Sequence, residues 1–114
     1  MAEDDKNTAK IAELNDRLRT TFNPLAGIIV TTPGVTALKN TERAAVFNLI
    51  KTFNNFSEDN DPHGEHDFGA VEVADRKYFW KIDYYDKSMR YLSEDPADAG
   101  KTNRVMTIMC AHEY

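Results

Sequence analysis

Phe68-Gly69-Ala70-Val71-Glu72-Val73-Ala74-Asp75-Arg76-Lys77-Tyr78-Phe79-Trp80-Lys81-Ile82-Asp83-Tyr84-Tyr85 is the stretch that decides the fold. Phe68 to Ala74 reads as a strand, Asp75-Arg76 as a turn and Lys77 to Tyr85 as the returning strand. A strand sends successive side chains to opposite faces. Tyr78, Trp80, Ile82 and Tyr84 therefore share one face of the return strand, and Phe79, Lys81, Asp83 and Tyr85 share the other. The turn lacks an Asn-Gly or Asp-Gly pair, so its type stays open.

Downstream, the polar stretch Ser93 to Asn103 reads as a surface loop, with a short helical turn before it around Lys87 to Leu92. Arg104 to His112 contains Val105-Met106-Thr107-Ile108-Met109-Cys110, which is apolar on both faces and predicts a central strand. Upstream, Ile11, Leu14, Leu18 and Phe22 recur at spacings of three and four and predict a helix from about Thr8 to Phe22. Asp4, Asp5 and Asn7 would cap it and complement its dipole, and Asn23-Pro24 would stop it. Gly27-Ile28-Ile29-Val30-Thr31-Thr32 reads as a buried strand that ends at a Pro33-Gly34 turn. A second helix is expected from about Thr41 to Asn54, capped by Asn40 or Thr41, with Val46, Leu49, Ile50 and Phe53 as its buried stripe. The order is helix, strand, helix, three strands. It implies a single α+β domain over residues 1–114, with about four strands in a mostly antiparallel sheet and two helices packed on one face.

The chain of 114 residues carries one cysteine, Cys110, so no disulfide can form within it. Its start, Met1-Ala2-Glu3-Asp4-Asp5, lacks the basic and apolar segments of a signal peptide. No apolar run reaches the roughly 18 residues that span a bilayer. A cytoplasmic protein without membrane contact is expected. The net charge of -5 argues against direct nucleic-acid binding, which needs clustered Lys and Arg. Ser57 to Asp67 holds Glu58, Asp59, Asp61, Glu65 and Asp67 with no Lys or Arg, so the excess sits in one eleven-residue segment.

That acidic segment is the first candidate site. Asp59-Asn60-Asp61-Pro62-His63-Gly64 opens like a calcium loop, but His63 stands at the fifth position and Ala70 at the twelfth, where a bidentate Glu is required. Ordinary Asx turns need the same residue types. Glu65, His66 and Asp67 are candidate ligands for zinc or manganese, with Asp83, His112 and Glu113 as further donors. The competing reading has His66 and Asp67 hydrogen-bonding the loop to the sheet edge. Asp83 beside Lys81 suits either a metal-dependent nuclease carboxylate or a same-face ion pair. Ala99-Gly100-Lys101-Thr102 lacks both the first glycine and the helix of a phosphate-binding loop. Cys110 and His112 share a face, yet a cysteine in an apolar strand is usually inert core. Trp80, Tyr84 and Tyr85, with their aromatic neighbours, cannot all be buried if helices cover only one side of the sheet, and exposed Tyr and Trp favour protein interfaces.

Asn60-Asp61-Pro62, Gly64-Glu65-His66-Asp67-Phe68-Gly69, Trp80-Lys81-Ile82-Asp83-Tyr84-Tyr85-Asp86, Asp95-Pro96-Ala97-Asp98 and Arg104-Val105-Met106-Thr107-Ile108-Met109 together resemble a family of small proteins of unknown function, alphaproteobacterial and often plasmid-borne. The resemblance runs from Gly27 onward. The chain departs from it at His63, where an aromatic is expected, and at Cys110, where an aliphatic is expected. The resemblance implies no activity. It implies genes that travel with mobile elements, whose products often regulate or inhibit host defence.

Two functional readings follow. The first is a small, acidic, non-enzymatic binding or regulatory protein without a cofactor. Its binding residues would be Asp59, Asp61, Glu65, His66, Asp67, Trp80, Asp83, Tyr84 and Tyr85, and its partner a protein with a basic surface, such as a nucleic-acid-handling or host-defence protein that it inhibits. The second is a small metal-dependent hydrolase or nuclease using Glu65, His66, Asp67 and Asp83. A purely structural role for the same motifs, with His66 and Asp67 anchoring the loop and Asp83 and Arg104 paired across strands, is the alternative to both. Oligomeric state is not legible in the sequence.

Overall fold

The computed structural model describes residues 2–114, and the side chains of residues 7–114. The elements are α1 (Ala2–Thr21), β1 (Ile28–Thr31), α2 (Pro33–Thr36), α3 (Asn40–Thr52), β2 (Phe68–Val73), β3 (Arg76–Tyr85) and β4 (Asn103–Cys110), followed by a 3-10 turn at Ala111–Glu113. The strands form one sheet in the order β1-β4-β3-β2. β2–β3 and β3–β4 are antiparallel, and β1 lies parallel to β4. The expected α+β class and mostly antiparallel sheet are found, with one parallel pair and a third, short helix.

Helices cover one face of the sheet only. Leu18 of α1, Val35 of α2, and Val46 and Ile50 of α3 meet Val71, Tyr78, Trp80, Ile82, Met106 and Ile108 in a single core. Fully burying an aliphatic side chain such as Leu18 or Ile50 is worth about 1.5–3 kcal/mol, so this layer holds the helices down. Gly69 permits the tightest packing, because a Cβ there would lie 2.5 Å from the Trp80 indole nitrogen.

The boundaries depart from the expectations at definable places. Asp4, Asp5 and Asn7 lie inside α1 and do not precede it; the side chains of Asp4 and Asp5 are outside the described set. The helix ends at Thr21, and Phe22 turns left-handed at φ 54° ahead of Asn23-Pro24. β1 is an edge strand: Ile28 is 42% and Val30 40% exposed, so a β-branched run bounded by Gly and Pro-Gly is half-open here. Pro33-Gly34 opens α2, with Pro at the first turn. At α3 the cap position is Lys39 without a side-chain cap, and the Asn40 Oδ1 accepts a bond from Arg43 at 2.6 Å. Leu49 is exposed, outside the buried stripe of Val46 and Ile50. The turn between β2 and β3 is Ala74-Asp75, one residue earlier than expected. Residues 87–91 form turns built on Asp86, whose carboxylate accepts bonds from the Ser88 hydroxyl and the Arg90 and Tyr91 N–H groups. Among the described residues, no helix is long and apolar enough to cross a membrane.

Candidate functional site

The acidic loop is built from local polar turns before it is anything else. Asn60 accepts the Ser57 N–H at 2.9 Å and donates to the Asn55 carbonyl at 2.8 Å. The Asp61 N–H reaches the Ser57 carbonyl, and the Asp61 carboxylate takes the His66 N–H at 3.1 Å. Gly64 and His66 both adopt left-handed backbone, at φ 69° and 55°. These bonds fold the loop back so that Asp61 is buried and His66 points at α1.

His66 sits between two carboxylates on an aromatic floor. Its Nδ1 lies 3.0 Å from both Asp16 oxygens, its Nε2 lies 3.8 Å from Asp61, and its ring stacks on Phe56 at 3.9 Å and 3°. Beside it, the Glu65 carboxylate accepts the Tyr84 hydroxyl at 2.8 Å. Asn15 of α1 donates to the Glu65 carbonyl at 2.9 Å and to the Tyr84 oxygen at 2.8 Å, and accepts from Arg104 Nε at 2.8 Å. Burial holds the Tyr84 hydroxyl protonated well above the ordinary phenol range, so it remains a donor to Glu65. Burial, then the nearby Glu65 charge, raises the Asp67 carboxyl. The Asp67 carbonyl accepts the Ile82 N–H at 2.8 Å and fixes the start of the hairpin.

Trp80 is fully buried, with its indole N–H lacking an acceptor. The Arg19 guanidinium lies 5.2 Å from the Trp80 ring and 5.3 Å from the Phe56 ring. The same guanidinium donates to the Ile50 and Phe53 carbonyls at 2.8 Å, which ties α1 to the C-terminal end of α3. Such bonds satisfy carbonyls that a helix end leaves unpaired.

The structure thus brings Asp61, Glu65, His66 and Tyr84 together against α1, with Trp80 one layer beneath. Asp59 stays outside, exposed with Glu58, and neither takes part in an ion pair among the described residues. Asp83 and Tyr85 alternate with Tyr84 along β3 and so fall on the opposite face of the sheet, where Asp83 pairs with Lys81 at 3.2 Å. Asp83 therefore joins neither Glu65 and His66 nor Arg104. The suggested Asp83–Arg104 pair fails because Arg104 sits opposite Tyr84 and bonds Asn15. Among the described residues, no three His, Cys, Asp or Glu side chains are grouped to hold a metal ion. Cys110 packs by Gly34, and burial raises its thiol, the opposite of an activated nucleophile.

The opposite face has no helix on it. Ile28 and Val30 of β1, Val105, Thr107 and Met109 of β4, and Phe79, Tyr85 and the Lys81–Asp83 pair of β3 line it, with Val105 and Met109 buried among their neighbours. Tyr114 folds over one corner, 5.4 Å from Phe79 and 5.9 Å from Phe68.

Sequence reasoning missed Asn15, Asp16 and Arg19, the α1 side of the cluster, and it offered Glu113 only as a metal donor, whereas Glu113 clamps the ends of β1 and β4. The Glu113 carboxylate accepts the Thr32 hydroxyl at 2.6 Å and the Gly34 and Cys110 N–H groups at 2.9 Å. A faint signal existed in α1: Asn15 and Arg19 follow Leu14 and Leu18 by one residue and share a spacing of four, which puts them beside the apolar stripe.

A family model described as "Protein of unknown function (DUF3768)" matches residues 31–113. No curated protein and no solved structure matches the chain.

Proposed function

We propose that this chain, which belongs to that family of unknown function, is a small non-enzymatic binding and regulatory protein that docks a protein partner on the uncovered face of its sheet. One observation carries the reading: a four-stranded sheet with every helix on one side, and with Ile28 and Val30 exposed on the other. Beside Ile28 and Val30 this face carries the Lys81–Asp83 pair, and a face of mixed polarity without a helical cover is where an interface forms. The charge supports a partner with a basic rim. Glu58, Asp59, Glu72 and Asp75 are exposed and belong to no ion pair among the described residues. Such acids steer a basic partner and make its association salt-sensitive. A nucleic-acid-handling protein has a surface of that kind, and inhibition of one is the role that the mobile-element resemblance suggests.

The motif residues then have a supporting part. Asp61, Glu65, His66 and Tyr84 spend their hydrogen bonds on each other and on α1, which shapes the scaffold behind the docking face. This separates the reading from the hydrolase alternative, for which Asp83 would have to stand beside Glu65 and His66.

A photo-cross-linking residue at Thr107, in the middle of the open face, tests the proposal in the native host. A discrete adduct should form from position 107 and weaken at high salt, with none from the exposed α3 position Asn48. Equal labelling from both positions, or none from position 107 at low salt, would overturn it.

A further inference from the structure

The α1–β1 loop, the start of β1 and the loop before β4 enclose a cleft of about 480 Å³. Arg17, Lys87 and Arg104 line it together with Leu14, Leu25 and Ile28. No Asp or Glu lines it, in a chain whose net charge is -5.

Arg104 is the informative group. It is only 3% exposed. Its Nε donates to Asn15 at 2.8 Å, Nη2 donates to the Pro96 carbonyl, and the guanidinium lies 5.3 Å from the Tyr84 ring. All three partners are neutral. Among the described residues no carboxylate lies within ion-pair distance of Arg104, and its Nη1 has no hydrogen-bond partner. A buried cation with no carboxylate in contact is costly, and here Glu65 acts on it only from beyond ion-pair distance. The other two cations add to the same field: among the described residues Lys87 Nζ hydrogen-bonds the Asn103 side chain at 3.5 Å and joins no ion pair, and Arg17 is exposed and 3.6 Å from Glu13.

We propose that this cleft binds a small organic oxyanion, its carboxylate or phosphate group facing Arg104 and Lys87 and its apolar body lying on Leu14 and Leu25. Nη1, the guanidinium nitrogen that neither Asn15 nor Pro96 takes, can donate a charge-assisted hydrogen bond to either headgroup. The volume falls in the range of about 300–1,000 Å³ typical of small-molecule sites. Leu25, 94% exposed, is the side chain that such a body would cover.

Titration of the full chain with hexanoate, hexyl phosphate, inorganic phosphate and hexylamine, followed by amide NMR, tests this. At least one hexyl anion should give saturable shifts at Gly27, Thr102 and Asn103, the tighter of the two naming the headgroup, and hexylamine should give none. Replacing the two exposed cations, Arg17→Gln with Lys87→Gln, should weaken binding by about tenfold or more without touching the fold. Arg104→Gln is unsuitable alone, because the residue is buried in the Asn15 network. The proposal is overturned if neither hexyl anion saturates, if hexylamine gives the same shifts, if inorganic phosphate binds as tightly as the hexyl anions, or if the double variant binds like wild type.

Discussion

Asn15 occupies a position in α1 where packing alone would accept leucine. It is fully buried, and it connects Glu65, Tyr84 and Arg104 through three hydrogen bonds. Asn15→Leu leaves the Arg104 Nε–H without its acceptor inside the protein. Orphaning a buried charged donor costs about 2–4 kcal/mol, more than the added apolar contact returns. Urea denaturation should show a loss of that size, and a loss below about 1 kcal/mol would mean that the network is relaxed at no cost. Glu113 gives a pH signature. Bonds from the Thr32 hydroxyl, then the Cys110 and Gly34 N–H groups, lower its carboxyl from 4.5 to about 2. The unfolded chain takes up that proton first. Its contribution is therefore whole above pH 4.5 and is lost as pH falls through about 2. Thermal melts of Glu113→Gln should lie below wild type at pH 7 and converge with it toward pH 2; a gap that persists unchanged would refute the assignment. The motif strings pointed to Asp61, Glu65 and His66 because those residues are contiguous and chemically conspicuous. Their partners were not legible, since Asn15 meets Glu65 across a separation of 50 residues and nothing local in α1 marks a buried asparagine.

The hairpin illustrates what periodicity can and cannot give at the level of elements. Period-two alternation put Tyr78, Trp80 and Ile82 on one face, as found, but did not say that this is the buried one, so Trp80 was taken for a binding residue; the apolar run at Val105–Cys110 correctly read as a central strand. Composition could not set the turn. Ala74 and Asp75 both take left-handed backbone, at φ 53° and 64°, between the paired Val73 and Arg76. That is the geometry of a type I′ turn, which Asn-Gly fits without strain. An alanine there costs about 1–2 kcal/mol, because its Cβ crowds the following carbonyl. The double change Ala74→Asn, Asp75→Gly should raise stability by about 1 kcal/mol with the β2–β3 register unchanged, as read by denaturation and cross-strand NOEs. No gain, or a shifted register, would show that the turn is held by something outside the hairpin. β1 was misjudged for a related reason: Ile, Ile and Val suit a strand buried on both faces and an edge strand with one open face alike, and only the sheet order distinguishes them.

The whole molecule has two unlike sides, and α1 decides how they relate. The matched family segment begins at residue 31, so α1 lies outside it. Yet α1 supplies the partners of the motif residues within that segment: Asp16 for His66, and Asn15 for Glu65, Tyr84 and Arg104. Arg19 adds the tie to the end of α3, and Leu18 fills the core beneath. Without α1, the sheet would be bare on part of its second side as well, with Arg104 and Tyr84 stripped of hydrogen bonds. A chain of residues 22–114 should therefore lose cooperative unfolding and near-ultraviolet circular dichroism, while a peptide of residues 2–21 added in trans should restore both, since anything that binds only the folded state stabilises it. If the shortened chain instead unfolds cooperatively near the wild-type midpoint, α1 is an accessory. Val35 of α2 and Val46 and Ile50 of α3 would then suffice to close the core on that face, and the Asn15 network would be dispensable for the fold.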